Sequence, residues 1–162
     1  MFPSPRPVVA SPRLLPHFAA LVCILTLVGC GTITTSAPAP TPAGFQVIAG
    51  LLRQGGLTID HIVSGDAGCD DHKLAQTAIA LDASGLDQAT PTRLYIYIFK
   101  NGDSFTRLRQ TVDACANTYT TNPEDFESID ASPYVVAGPG PWAAGFKAAV
   151  RVALSGAAGT GG

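Results

Sequence analysis

The sequence predicts a small α+β domain in which a mainly antiparallel sheet of about five strands carries about three helices. Three observations indicate this class. Segments with alternating apolar residues recur between turn residues, other segments have an apolar residue every three or four positions, and 162 residues allow one ordinary domain. The predicted order is α-β-β-β-α-β-β-α. The simplest packing for that order places the helices on one face of the sheet.

The first helix and two strands are predicted from local signals. Thr41 is a candidate N-cap, with Pro42 at the first helical position and Gly55 beyond the helix end. Alternating apolar residues then predict strands over 57–63 and 75–81.

The strand predicted over Arg93–Lys100 is the clearest in the chain, and both of its faces are apolar. One face carries Leu94, Ile96 and Ile98, and the other carries Tyr95, Tyr97 and Phe99. If helices cover one side of the sheet only, the aromatic row is an exposed partner surface. The alternative is a central strand that is buried on both sides.

Beyond this strand, Asn101-Gly102 predicts a turn, and Asp103 or Ser104 can cap the helix that follows. That helix carries one apolar stripe. Its members are Phe105, Leu108, Val112, Cys115 and Tyr119.

Two short strands are predicted over 126–131 and 134–138. Gly140-Pro141 then opens the last helix, and Gly156 lies beyond its end. The inner face of that helix is predicted to carry Trp142, Phe146, Val150 and Leu154.

The N-terminal residues have the pattern of an export signal. Residues 1–17 are basic and acid-free, and the apolar run over 18–29 is shorter than the roughly 20 residues that span a bilayer. The run ends in Leu27-Val28-Gly29-Cys30, which resembles the lipobox of bacterial lipoproteins. The resemblance implies removal of residues 1–29, lipidation of Cys30 and an extracytoplasmic location. The competing interpretation is ordinary signal cleavage at Ala37-Pro38-Ala39, which Pro40 disfavours.

This interpretation divides the chain into four parts. The signal peptide is 1–29, the lipidated cysteine and a Pro/Thr-rich tether are 30–44, the α+β domain is 45–154, and a flexible Gly-rich tail is 155–162. An extended tether reaches about 40 Å. The mature part carries eight cations against twelve acids, a net charge near −4. An acidic domain without a basic cluster is a poor nucleic-acid binder.

The four cysteines have three predicted roles. Cys23 lies in the signal, Cys30 is the lipid site, and Cys69 and Cys115 remain in the exported domain. Disulfides persist outside the cytoplasm, so we expect this pair to be bridged, with two free thiols as the alternative. The bridge would close a loop of about 47 residues. By the chain-entropy model it would stabilise the folded state by about 4 kcal/mol, because it restricts the unfolded chain.

The densest polar segment is 64–72, with His61 nearby. Its carboxylates and imidazole are potential metal ligands, but their spacing matches no zinc or EF-hand pattern and also fits a solvated turn. A catalytic pair of Asp66 and His72 stays open, although the sequence contains no catalytic motif. Glu124, Asp125, Glu127 and Asp130 fit a solvated acidic face. We therefore predict no metal, cofactor or catalytic residue.

These observations favour a membrane-anchored extracytoplasmic lipoprotein that is a non-enzymatic binding or envelope-assembly module. Its expected partners are the membrane, through the lipid, and an envelope protein; the outer membrane is possible if the source has one. One alternative is a carrier or sensor of a small apolar ligand held between sheet and helices. A third is an envelope enzyme that uses His72 or His61.

Overall fold

The computed structural model describes residues 44–159. In chain order the elements are α1 (Phe45–Gln54), β1 (Thr58–Ser64), α2 (His72–Ala75), β2 (Ala78–Gly85), β3 (Gln88–Ile98), α3 (Gly102–Ala116), a 3-10 turn (Pro123–Asp125), β4 (Phe126–Ala131), β5 (Tyr134–Pro139) and α4 (Ala144–Gly159). The strands form one antiparallel sheet in the order β1-β2-β3-β5-β4. The predicted α+β class and the five antiparallel strands are confirmed, whereas the short helix α2 was not predicted.

Helices cover both faces of the sheet, so the prediction that they pack on one face is wrong. Helices α1 and α4 lie on one face, and α2 and α3 lie on the other. The largest fully buried side chains of the first core include Ile48, Leu52, Leu81, Leu94, Ile96, Tyr134, Phe146 and Leu154. Those of the second core include Leu74, Tyr97, Phe99 and Val112. Strand β3 contributes to both cores, and an apolar strand of this kind requires a cover on each side.

The two strands of the β2–β3 hairpin lie nearer to their connecting turn than predicted. Residues 75–77 do not begin a strand, because Asp71 caps α2 by accepting hydrogen bonds from the backbone N–H of Lys73 and of Leu74, at 2.8 and 2.9 Å. Strand β2 instead runs to Gly85, which pairs with Gln88 at the start of β3. The hairpin therefore extends beyond both predicted strands at its turn.

Helix α3 begins as the turn signal predicted, but with a different cap. The side chain of Asn101 accepts a hydrogen bond from the backbone N–H of Ser104 at 2.9 Å. Asn101 is thus the N-cap, in place of Asp103 or Ser104. The predicted apolar stripe packs into the second core, with Val112 and Cys115 buried.

Helix α1 differs from its prediction at its start, and helix α4 differs at both ends. Helix α4 begins at Ala144, so Pro141 and Trp142 precede it, and it includes Gly156. Helix α1 ends before Gly55, as predicted, and begins at Phe45; the predicted cap, Thr41, lies outside the described residues. Helix α4 continues to Gly159, five residues beyond the predicted domain end at 154, so the predicted flexible tail does not begin at residue 155. The reason is packing, because Ala157 is fully buried against the first core. Residues 160–162 lie outside the described range.

Helix α4 obtains its cap from a residue far away in the sequence. Asp87, in the β2–β3 turn, accepts hydrogen bonds from the backbone N–H of Gly145 at 2.7 Å and of Phe146 at 2.8 Å. A Cβ at Gly145 would lie 2.8 Å from the Asp87 carboxylate, so glycine permits this approach. The backbone N–H donors, first that of Gly145, lower the pKa of Asp87 below its ordinary value.

We predict that Asp87→Asn lowers the Tm by a few degrees at pH 7. Because the folded-state pKa lies below the unfolded value of about 3.9, ionised Asp87 stabilises the fold above that pH. This stabilisation is lost as the pH falls through the folded-state pKa. Thermal unfolding of both proteins from pH 7 to pH 2 measures the difference, which should shrink in acid.

The matched control is Asp70→Asn, because Asp70 is exposed and has no hydrogen bond or ion pair within the described chain. Its Tm should equal that of the original protein at every pH. A Tm difference for Asp87→Asn that stays constant down to pH 2 would contradict the assigned role of the carboxylate.

Candidate functional site

The aromatic row of β3 is buried, so its interpretation as an exposed partner surface is wrong. Tyr95 is 8 % exposed, and Tyr97 and Phe99 are 0 % exposed. Helix α3 and the segment after β1 cover them: Phe105 packs edge-on against Phe99, with ring centroids 6.1 Å apart, and Tyr119 lies 4.5 Å from Tyr95. The alternative prediction, that the strand is buried on both sides, is confirmed.

A disulfide holds the covering segment in place. Cys69, in the loop between β1 and α2, is bridged to Cys115 on the inner side of α3, with an S–S distance of 2.00 Å and Cα atoms 5.5 Å apart. The predicted pairing is confirmed. The bridge joins the loop to the helix directly above the aromatic row.

The same loop is also anchored from below by Tyr97. Its hydroxyl donates a hydrogen bond to the carbonyl oxygen of Ala67 at 2.8 Å. Burial raises the pKa of Tyr97 far above its ordinary value. Gly68 adopts φ +76°, and a Cβ there would lie 2.6 Å from Tyr119 and 2.8 Å from Tyr95. These contacts make the loop a packed structural element.

The Tyr119 hydroxyl has a different environment from that of Tyr97. Its oxygen is buried and has no hydrogen-bond partner within residues 44–159. Burial raises the pKa of Tyr119 to about 12. The nearby Tyr97 hydroxyl acts in the opposite direction on that pKa. The Tyr119 hydroxyl is therefore neutral at physiological pH, and no hydrogen bond of good geometry within the described residues offsets the free energy of its burial.

Arg93 organises a polar cluster beside this loop. One guanidinium nitrogen lies 3.0 Å from the Asp66 carboxylate, and another lies 3.2 Å both from the Asp82 carboxylate and from the His61 carbonyl oxygen. Burial lowers the pKa of Arg93, but the hydrogen bonds to Asp66 and Asp82 outweigh that effect and raise it overall. Arg93 thus joins β3, β2, the bulge of β1 and the disulfide loop.

His61 lies at the edge of this cluster with an unusual backbone. It has φ +47° within an irregularity of the β1–β2 pairing between Asp60 and Val63. Its Nδ1 lies 3.1 Å from an Asp82 oxygen, and its side chain is 79 % exposed. Nδ1 is thus directed at Asp82, and Nε2 takes no part in this contact. The sequence did not predict this pair, because His61 and Asp82 lie on different strands and meet only when β1 pairs with β2.

The other polar residues of the predicted segment have separate structural roles. Asp66 binds Arg93 and also accepts a hydrogen bond from the Gly68 backbone N–H at 2.9 Å. Asp71 caps α2, and His72 is exposed at the start of that helix. In the part of the chain that the structure describes, no three His, Cys, Asp or Glu side chains are placed to hold a metal ion.

An apolar groove lies between α1 and α4 on the opposite side of the domain. It has a volume of about 390 Å³ and is lined by Leu51, Gln54, Gly55, Ala148, Ala149, Val152 and Ala153. Gln54 is the one polar side chain among these lining residues. Val152 is 72 % exposed, and Val47 on α1 is 41 % exposed. Sequence reasoning missed the groove because it forms only when two helices far apart in the chain pack side by side.

Comparison with protein families, curated proteins and solved structures found no match for this chain. Among the helices of residues 44–159, none combines the length and apolarity needed to cross a membrane. Cys30, the predicted signal peptide over 1–29 and the predicted tether up to residue 43 lie outside the described residues.

We predict different effects for Tyr→Phe substitutions at Tyr97, in the covered aromatic row, and at Tyr119, which packs against Tyr95 of that row. Tyr97→Phe leaves the buried Ala67 carbonyl without its donor and should lower the free energy of unfolding by about 1–2 kcal/mol. Tyr119→Phe removes an unpaired hydroxyl and should change it by less than about 0.5 kcal/mol, or raise it. Urea unfolding at pH 7 measures both, and equal losses for the two variants would contradict the assigned hydrogen bond.

Proposed function

We propose that this protein is a membrane-anchored extracytoplasmic lipoprotein that acts as a non-enzymatic binding or envelope-assembly module. The observation that carries the proposal is the Cys69–Cys115 disulfide. Disulfides persist in oxidising compartments and are rare in the cytosol. The bridge therefore supports export, which the lipobox-like Leu27-Val28-Gly29-Cys30 independently indicates.

The roles of the polar side chains support a binding module over an enzyme. Asp66, the sequence-based partner of His72, binds Arg93 instead. Asp82 accepts from the same guanidinium while it contacts His61. Nucleophilic catalysis needs a nucleophile beside an oriented base, and the contacts of His61 join it to a carboxylate and, through its carbonyl, to a cation. The cluster thus has a structural explanation without a reaction.

We predict that Cys30→Ala abolishes fatty-acid labelling of the protein and releases it from membranes. The reason is that anchoring requires acyl chains, each CH₂ of which contributes about 0.8 kcal/mol to membrane affinity. Metabolic labelling and cell fractionation measure the two effects. Cys23→Ala is the matched control and should keep both label and membrane association. Fatty-acid labelling that survives in Cys30→Ala would contradict lipidation at Cys30.

The binding role is tested by cross-linking in living cells. A photo-crosslinking amino acid is placed singly at Ile62 on β1, at Leu86 in the β2–β3 turn and at Gln110 on α3. Ile62 and Leu86 are 45 % and 57 % exposed, and Gln110 is also exposed, so the label should not disturb the fold. We expect one envelope protein to be captured from one position and not from the others. Capture of nothing from any position would contradict a binding module.

A carrier or sensor of a small apolar ligand is the second candidate, and the α1–α4 groove is the observation that favours it. Its volume of about 390 Å³ lies within the range of ligand pockets, which are mostly apolar. It lies on the outer side of the helix layer, whereas the sequence-based expectation placed the ligand between sheet and helices. A small molecule that copurifies with the protein, detected by native mass spectrometry, would favour this candidate.

A further inference from the structure

Helices α1 and α4, which form one layer of the domain, contain charged residues of one sign only. The sequences of α1 and α4 include Arg53, Lys147 and Arg151 and no Asp or Glu, although the chain has twelve acids. Lys147 is ion-paired with Glu127 of β4. Arg53 and Arg151 are exposed, and neither has an ion-pair partner within the described residues. With Lys147 paired and the Asp87 carboxylate at the start of α4, the layer keeps two exposed arginines without an ion pair in the described chain, on a domain whose mature chain is acidic.

Apart from the two arginines, the solvent side of the same layer carries apolar, small and uncharged polar residues. The exposed positions of α4 are Ala144, Ala148, Arg151, Val152, Ser155 and Gly159. Those of α1 are Gln46, Val47, Arg53 and Gln54. Val152 is the most exposed large apolar residue of the described chain, at 72 %, and it borders the groove. Apolar surface with arginine on the same helices is the composition of elements that bind in the headgroup region of a bilayer, where the guanidinium meets the lipid phosphate.

The position of the anchor lets this layer reach a membrane. Thirteen residues separate Cys30 from Gly44, the residue before α1. A fully extended chain of that length, at about 3.1 Å per residue, would reach about 40 Å, which exceeds the roughly 13 Å radius of gyration of a domain of this size. The tether joins the domain at α1 itself. A lipid on Cys30 would hold the layer at high effective concentration near the bilayer, so a weak contact is enough to dock it.

We propose that the outer side of α1 and α4 docks the domain on the anionic surface of the membrane that holds the Cys30 lipid. Val47 and Val152 enter the headgroup region, and Arg53 and Arg151 bind lipid phosphates. This inference rests on the proposed function, because the lipid supplies the local concentration. It adds a second, electrostatic contact to the covalent anchor and fixes which side of the domain faces outward.

The test uses the protein isolated from membranes and reconstituted in phosphatidylcholine vesicles with or without phosphatidylglycerol. An environment-sensitive fluorescent amino acid replaces Val152 or, as the control on the opposite helix layer, Gln110. With phosphatidylglycerol present, we expect a blue shift at position 152 and quenching by a headgroup-linked quencher, with neither at position 110. High salt should reverse the effect, because it screens charges at the surface. Circular dichroism checks that both labelled proteins are folded.

Charge variants, made in the protein labelled at position 152, test the electrostatic part of the contact. Arg53→Gln combined with Arg151→Gln should weaken docking by about fivefold for each arginine removed, measured as the fraction quenched. Lys100→Gln combined with Arg107→Gln is the matched control, since it removes two exposed cations from the α3 side. That control should leave docking unchanged.

Two results would overturn the docking surface. One is that, on phosphatidylglycerol vesicles, the label at position 152 is as accessible to water as the label at position 110. The other is protection of residue 152 without vesicles that rises with protein concentration, which would assign the groove to a second copy of the chain. Mass spectrometry of the Cys30 peptide separates this inference from the proposed function. A lipidated chain with an accessible residue 152 overturns docking alone, and an unmodified Cys30 overturns the anchor whatever the fluorescence.

Discussion

The structure depends on one constraint, which is that strand β3 is apolar on both of its faces. Leu94 and Ile96 face one core, and Tyr97 and Phe99 face the other, all of them fully buried. An antiparallel sheet commonly keeps one face in water, but this strand excludes that solution. Two helix layers are therefore required, and α3 provides the second because its apolar stripe fits the aromatic row. The three-layer arrangement follows from this one strand.

The segment after β1 completes the cover that α3 alone does not provide, and three interactions of different chemistry hold it there. The disulfide joins Cys69 to Cys115, the Tyr97 hydroxyl binds the Ala67 carbonyl, and Arg93 binds Asp66. The disulfide links the segment to α3, and the other two interactions link it to β3. Of the residues that first suggest a metal or catalytic site in this segment, Asp66 and Cys69 take part in these interactions, and Asp71 caps α2.

Two sides of the domain consequently differ in chemistry. The α3 side is closed by the disulfide and carries ion pairs such as Arg109 with Asp113 and Asp130, both at 2.6 Å. The α1–α4 side has an apolar groove and exposed arginines. A contiguous exposed apolar patch on a small domain often marks a site that binds a protein, a membrane or a ligand. In the proposed docking, the α1–α4 side would face the membrane and the α3 side would face away from it.

Local patterns in the sequence were sufficient for the elements whose signals lie within a few residues. Strand β4 coincides with its predicted range, the Asn101-Gly102 signal marked the start of α3, and the alternation of β3 assigned its two apolar faces correctly. The disulfide was predicted because compartment and cysteine count leave one pair. These features are determined by neighbours along the chain, by composition or by the environment that the signal implies.

Only the tertiary structure decided the rest, because it depends on residues distant in the sequence. The start of α4 is set by Asp87, 58 residues before Gly145. The continuation of α4 to Gly159 depends on Ala157 packing in a core to which α1 contributes, and the His61–Asp82–Arg93 cluster needs three strands in register. Whether the aromatic row faced water or a helix could not be read from β3 itself. A strand carries the requirement for burial, but its partner lies elsewhere in the chain, and only folding brings the two together.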